Sequence, residues 1–227
     1  MKRAVQTSES IELGVLLALS GGFMDAYSYI ARGKVFANAQ TGNILLFGVH
    51  LSEGEFGAAA HYLFPVIAFT LGIALADFVR MQNIRRVHWR QVAVLFEALI
   101  LVAVSMIPFS RNLLANSLTS FACGIQVQSF RKIHGNGIAT TMCIGNLRSG
   151  TQNICSWLQT KNTADLEKGL LYFGVIISFV TGAVFGNFFI NALGQQAILV
   201  SAGLLTAAFA VMFIDREGAE WQKRKKK

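Results

Sequence analysis

Three carboxylates, two glycine–asparagine pairs and one arginine are the residues of this sequence best placed to do chemistry. Asp25 follows Gly-Gly-Phe-Met inside a long apolar run, Asp77 closes a second run, and Glu97 lies several residues into a third. Carboxylates at membrane depth are costly and mark ion, proton or solute paths, so Asp25, Asp77 and Glu97 are candidate proton-coupling groups. Gly42-Asn43 and Gly145-Asn146 interrupt two further apolar stretches, FANAQTGNILLFG (36–48) and TTMCIGNLRSGTQNI (140–154). Glycine permits a sharp turn and asparagine is a favoured helix N-cap. Each pair is therefore expected to turn the chain and open a half-helix, whose free amides and positive dipole end would hold a polar or anionic group.

Asn38, Gln40 and Thr41 add polar groups to the first broken segment, and Thr140, Thr141 and Arg148 to the second. With Gln128, they complete the candidate substrate-binding set: Asn38, Gln40, Thr41, Gly42, Asn43, Gln128, Gly145, Asn146 and Arg148. A purely structural alternative stays open, in which both asparagines only cap their helices and tie neighbouring segments together. Asp25 is flanked by Gly21, Gly22 and Ala26, which allow another segment to approach closely, and by Tyr27 and Tyr29. Asp77 has Arg80 one turn away, so an interfacial ion pair would explain both. For Glu97 no polar counterpart is expected near Ser201 and Ala202, and a buried partner such as Arg148 is the simpler role. Arg148 has three readings: an anion holder, a partner of Asp25 or Glu97, or a cation at the cytoplasmic mouth.

The elements that must position these groups are apolar helices. The 227 residues are 53% hydrophobic and 14% charged, with a mean hydropathy of +0.49, too apolar for a soluble domain. Candidate spans are 11–31, 58–79, 91–108, 113–130, 169–190 and 195–214, each near the ~20 residues a hydrocarbon core of ~30 Å requires. The first is read as an uncleaved helix rather than a signal peptide. With six spans, only Arg32, Lys34 and Arg111 of the 20 lysines and arginines fall on the outer side, which makes both termini cytoplasmic. The net charge of +8 then belongs to topology and to lipid headgroups, the basic tail 215–227 above all, and not to nucleic acid. Two extra crossings at the broken segments would move the arginines at 80–90 outside, so both segments are expected to be re-entrant.

The chain also resembles itself. One register pairs Gly21 with Gly124, Asp25 with Gln128, Tyr27 with Phe130, Gly42 with Gly145 and Asn43 with Asn146. A second pairs FTLGIALADF (69–78) with FVTGAVFGNF (179–188), bringing Gly72 onto Gly182 and Asp77 onto Asn187. Each half reads as helix, re-entrant segment, helix, helix. Three crossings per half is an odd number, so the second half is upside down. The expected fold is an all-α integral membrane protein forming one transmembrane domain over 1–227. Its six helices make an inverted 3+3 repeat, about 11–108 and about 113–214, each half with a re-entrant broken segment. Such repeats place a solute site near the midplane. Gly182-x-x-x-Gly186, echoed by Gly72-x-x-x-Ala76, is a close-packing pattern, read as packing between the repeats, with a homodimer as the other use.

GGFMDAYSYI (21–30) followed by VFANAQTGN (35–43) resembles the YoaK-like bacterial membrane proteins, the domain of unknown function 1275 family. The resemblance covers roughly 11–214, with Gly22, Asp25, Asn38, Thr41, Gly42 and Asn43 on the family pattern. It implies a protein of the bacterial cytoplasmic (inner) membrane with about six spans, and little about activity.

The function expected from these residues is secondary transport of a small polar or anionic solute, with Asp25 as proton-coupling group and the two half-helix ends as clamp. A channel with opposed re-entrant segments is the first alternative, although no Asn-Pro-Ala occurs. An enzyme is not expected: His50, His61, His88 and His134 lie near span ends, and neither His-Glu-x-x-His nor Gly-x-Ser-x-Gly is present. A non-transporting scaffold or sensor would leave the paired polar segments without a role. No metal or cofactor is expected, since Cys123, Cys143 and Cys155 show no Cys-x-x-Cys spacing and there is no Walker motif.

Overall fold

The computed structural model describes residues 9–82 and 89–213. The cationic positions at 2–3, 85–86 and 216–227, with His88, lie outside the described residues, so the basic tail is not seen. The described chain is helical: α1 (Ile11–Ala31), α2 (Gln40–Ser52), α3 (Phe56–Met81), α4 (Trp89–Ser105), α5 (Asn112–Ser129), α6 (Cys143–Thr160), α7 (Thr163–Leu193) and α8 (Ile198–Val211). No strand occurs among the described residues, only an isolated bridge between Ile133 and Asn136.

Three stretches are long and apolar enough to cross a membrane: α1, α3, and the run Thr163–Val211 in which α7 passes through a short 3-10 turn into α8. Six were expected. α4 has only 17 residues and α8 only 14. α5 carries Asn112, Asn116, Thr119, Gln126 and Gln128, which lower its hydropathy. Two of these turn inward onto backbone: Asn116 Nδ2 donates to the carbonyl of Arg32 at 2.8 Å and Gln126 Nε2 to that of Leu17 at 3.2 Å. Polar groups satisfied in this way are compatible with burial.

α1 is the central element, buried over most of its length, with Ser10 capping its start through the amide of Leu13. It packs on α7 and α8, while α5 packs on α3 and α4; α2 folds back on α3, α6 on α7, and α4 meets α8. Large side chains such as Leu71, Phe78, Ile177 and Phe188 point outward, as lipid-facing surfaces do.

Small residues set the two closest crossings. A Cβ on Gly22 would strike the Phe179 carbonyl, and one on Gly182 the Leu19 carbonyl, where α1 crosses α7. Likewise a Cβ on Gly72 would strike the Phe121 carbonyl, and one on Gly124 the Phe69 carbonyl, where α3 crosses α5. Gly186 packs against Phe23 and Ala26 of α1. The Gly182/Gly186 face thus packs on α1 within the chain. Gly22 and Gly124 take the same part in the two crossings, one residue from the Gly21–Gly124 pairing suggested by sequence.

Candidate functional site

Left-handed backbone lies between each of α1 and α5 and the broken segment that follows it. Gly33 and Lys34 have φ of 89° and 66° after α1, and His134 and Gly135 have φ of 52° and 78° after α5. The chain turns here and not at Gly42 or Gly145, which lie inside the first turns of α2 and α6. Accordingly Asn43 and Asn146 are not N-caps. Ala39 and Met142 hold those positions, without side-chain cap bonds. Each asparagine instead reaches back to the extended chain. Asn43 accepts from the Phe36 amide at 3.0 Å and donates to the Phe36 carbonyl at 2.7 Å; Asn146 donates to the Ala139 carbonyl at 2.7 Å. Buried chain outside a helix needs such partners.

The clasp lays the first segment across α1. The Asn38 amide donates to Asp25 Oδ1 at 2.7 Å. Asn38 Nδ2 donates to the Gly21 carbonyl at 3.1 Å. Asp25 thus lies against the turn that leads into α2. Gln40 braces the turn by donating to the Ala37 carbonyl at 2.7 Å and accepting from Asn43 at 2.8 Å.

The second segment also packs on α1. Gln126 Nε2 donates to Thr140 Oγ1 at 3.3 Å, and the methyl of Thr141 fills the space that a Cβ on Gly21 would need. The starts of α2 and α6 thus border one cavity of about 670 Å³. Asp25, Asn38, Gln40 and Thr41 lie at one end, and Thr141, Met142, Cys143 and Ile144 at the other. Phe36, Phe69 and Phe179 supply apolar walls, with Tyr29, which stacks on Phe36 at 4.9 Å. In two of the lining residues a side-chain oxygen, Asn38 Oδ1 and Thr141 Oγ1, is buried with no hydrogen-bond partner among the described residues. No lysine, arginine or histidine among the described residues lines the cavity.

The structure brings together Asp25, Asn38, Gln40 and Thr41 with the start of α6, and leaves the other candidates elsewhere. Asn43 and Asn146 stand behind the cavity as clasps. Gly42 allows Phe36 to pack at 2.8 Å from where its Cβ would be, whereas Gly145 faces open space. Arg148 is exposed on α6 and away from the cavity. Asp77 accepts from Gln128 Nε2 at 2.6 Å and pairs with Arg80 at 2.7 Å, the interfacial ion pair of the simpler reading. Glu97 is fully buried in α4, with no hydrogen-bond partner for either oxygen among the described residues, and lies within electrostatic reach of Cys123. On α8, Ser201 shares a 2.7 Å hydrogen bond with Ser20 of α1.

Sequence reasoning overlooked Arg32, which is wholly buried. It donates through Nε to Tyr27 Oη at 2.9 Å, and through Nη2 to the carbonyls of Ile107 at 2.8 Å and Val104 at 3.3 Å. Its guanidinium sits 4.7 Å from the Phe109 ring centroid. It thus closes the C-terminal end of α4, where a cation is favoured. Its place directly after a span made it look like an ordinary flanking charge. At the α2–α3 turn His50 pairs with Glu55 at 2.7 Å and stacks on Tyr62, which braces the hairpin.

Comparison with known proteins agrees with the membrane character of the chain. It is 28% identical over 178 residues to the UPF0700 transmembrane protein YoaK of Bacillus subtilis (strain 168), covering 74% of this chain and 79% of that protein. No solved structure matches it. The family model described as protein of unknown function (DUF1275) matches residues 13–211, and the chain, a membrane protein with apolar helices, belongs to that family.

Proposed function

We propose that this protein is a membrane permease for a small polar solute, bound in the cavity where α2 and α6 begin. One observation carries the reading: two interrupted segments, far apart in sequence, end on one cavity beside a buried carboxylate. Interrupted helices meeting at a shared site are a recurrent transporter arrangement, and backbone of this kind is kept at membrane depth where it lines a cavity or lies buried in protein.

The helix pairings support an inverted repeat of six spans. Contact of α1 with α7 corresponds to that of α5 with α3, α2 with α3 to α6 with α7, and α1 with α8 to α5 with α4; α4 with α8 corresponds to itself. This is the pattern left by a two-fold axis relating the halves. In this reading α2 and α6 are the re-entrant elements. α4, α5 and α8 complete the six crossings as inward-packed helices. Both termini face the cytoplasm of a bacterial inner membrane. One half rocks against the other to expose the cavity alternately, and Asp25 exchanges a proton for the solute. The protein acts without metal, cofactor or covalent chemistry.

Proteoliposome uptake of labelled amines, amino acids, sugars, nucleobases and carboxylates tests this. Saturable, pH-gradient-dependent uptake of one class, lost in Asp25→Asn, is the expected result. Non-saturating flux would favour a channel instead. Binding without uptake of any solute would leave a sensor and end the permease reading.

A further inference from the structure

The cavity also bears on the chemical class of solute, and this step rests on the permease reading above. We infer that the solute carries a protonated amine, whose ammonium group lodges against Asp25 and whose apolar body lies among Phe36, Phe69 and Phe179.

Asp25 is 8% exposed and lines the cavity, with no lysine, arginine or histidine across it among the described residues. The Asn38 amide, in the turn before α2, holds the carboxylate in place but brings no full positive charge. An ammonium group donating to this carboxylate forms a charge-assisted contact. The aromatic faces favour a cation and an apolar body alike.

An anion has the opposite fit. Arg148, the cation expected to hold it, is exposed elsewhere. A negative group placed beside the Asp25 carboxylate is repelled in a water-poor site.

Thermal unfolding of the full-length protein in detergent separates the possibilities, using three probes of one shape: phenethylammonium, 2-phenylethanol and 3-phenylpropionate. The expected result is a midpoint raised by phenethylammonium and not by 3-phenylpropionate. Apparent affinity should fall roughly tenfold or more in Asp25→Asn, the loss of a charge-assisted contact. Thr41→Lys places a cation at the exposed cavity rim and should weaken phenethylammonium likewise, so the conclusion does not depend on Asp25→Asn folding normally. Two outcomes overturn the inference. Stabilisation by 3-phenylpropionate or 2-phenylethanol in preference to the amine, lost in Thr41→Lys or Asp25→Asn, keeps the cavity as a solute site and removes the ammonium. Absence of any shift with all three probes, or an amine shift unchanged in both variants, removes the amine site itself. Uptake of another solute class would then decide the permease reading separately.

Discussion

Asn43 holds Phe36, seven residues earlier, by both its amide and its carbonyl, at 3.0 Å and 2.7 Å. Asn146 takes the carbonyl of Ala139 across the same interval at 2.7 Å. Removing the first clasp strands two backbone groups, and removing the second strands one. Asn43→Ala should cost about 2–4 kcal/mol and Asn146→Ala about 1–3 kcal/mol, taking a stranded buried group at about 1–3 kcal/mol with partial relaxation. Chemical or thermal unfolding in detergent checks the order; equal midpoints for both variants and wild type would refute the clasp.

The glycine crossings predict a sharp positional contrast. Gly22→Ala, Gly72→Ala, Gly124→Ala and Gly182→Ala each drive a methyl into a backbone carbonyl of the facing helix. Overpacking of this kind costs about 1–3 kcal/mol, and more where backbone must move. Gly174 and Gly203 have nothing within 4 Å of an added Cβ, and alanine there should be neutral or stabilise by about 0.5–1 kcal/mol. Folded yield and unfolding midpoint report the difference.

Arg32→Met should be severely destabilising. It leaves Tyr27 Oη and the carbonyls of Val104 and Ile107 without their donor, on the order of 3 kcal/mol or more. Arg32→Lys should recover little, because one ammonium cannot reach along the fork of contacts a guanidinium makes. Size-exclusion behaviour and unfolding midpoint of the two variants test this; wild-type stability in Arg32→Lys would contradict it.

Asp77→Asn should leave both stability and solute handling nearly unchanged. The residue sits in a half-exposed pair with Arg80, worth about 0–1 kcal/mol, and away from the cavity. Arg148→Ala should behave the same way. Loss of uptake in either variant, with folding intact, would return that residue to the solute path.

Thiol accessibility tests both packing and orientation. Cys155 is exposed on α6 and Cys123 is buried, so a maleimide should modify Cys155 in the folded protein and Cys123 only after unfolding. Under the six-span topology a membrane-impermeant maleimide reaches Cys155 in inverted vesicles and not in intact spheroplasts. The reverse pattern would place α6 on the outer face.

The sequence by itself determined that the chain is apolar, helical and bound for a membrane, because burial in lipid is written in composition and run length. It also marked the two broken segments, since Asn43 and Asn146 stand out against such a background, and it paired Phe69 with Phe179, both of which line the cavity. It could not tell what the asparagines hold. A side-chain amide at a helix start serves a cap or a distant carbonyl equally well, and only the path of the chain back through Phe36 and Ala139 decides. The same limit applies to charge. Asp25, Asp77 and Glu97 look alike as acids within apolar runs, yet one meets the amide of Asn38, one meets Arg80, and one is buried with no hydrogen-bond partner among the described residues. The environment of a carboxylate is set by which helices cross beside it, and those crossings depend on glycines meeting carbonyls far away in the chain. Arg32 shows the converse: its position after α1 is plain in sequence, but its burial follows from where the end of α4 comes to rest.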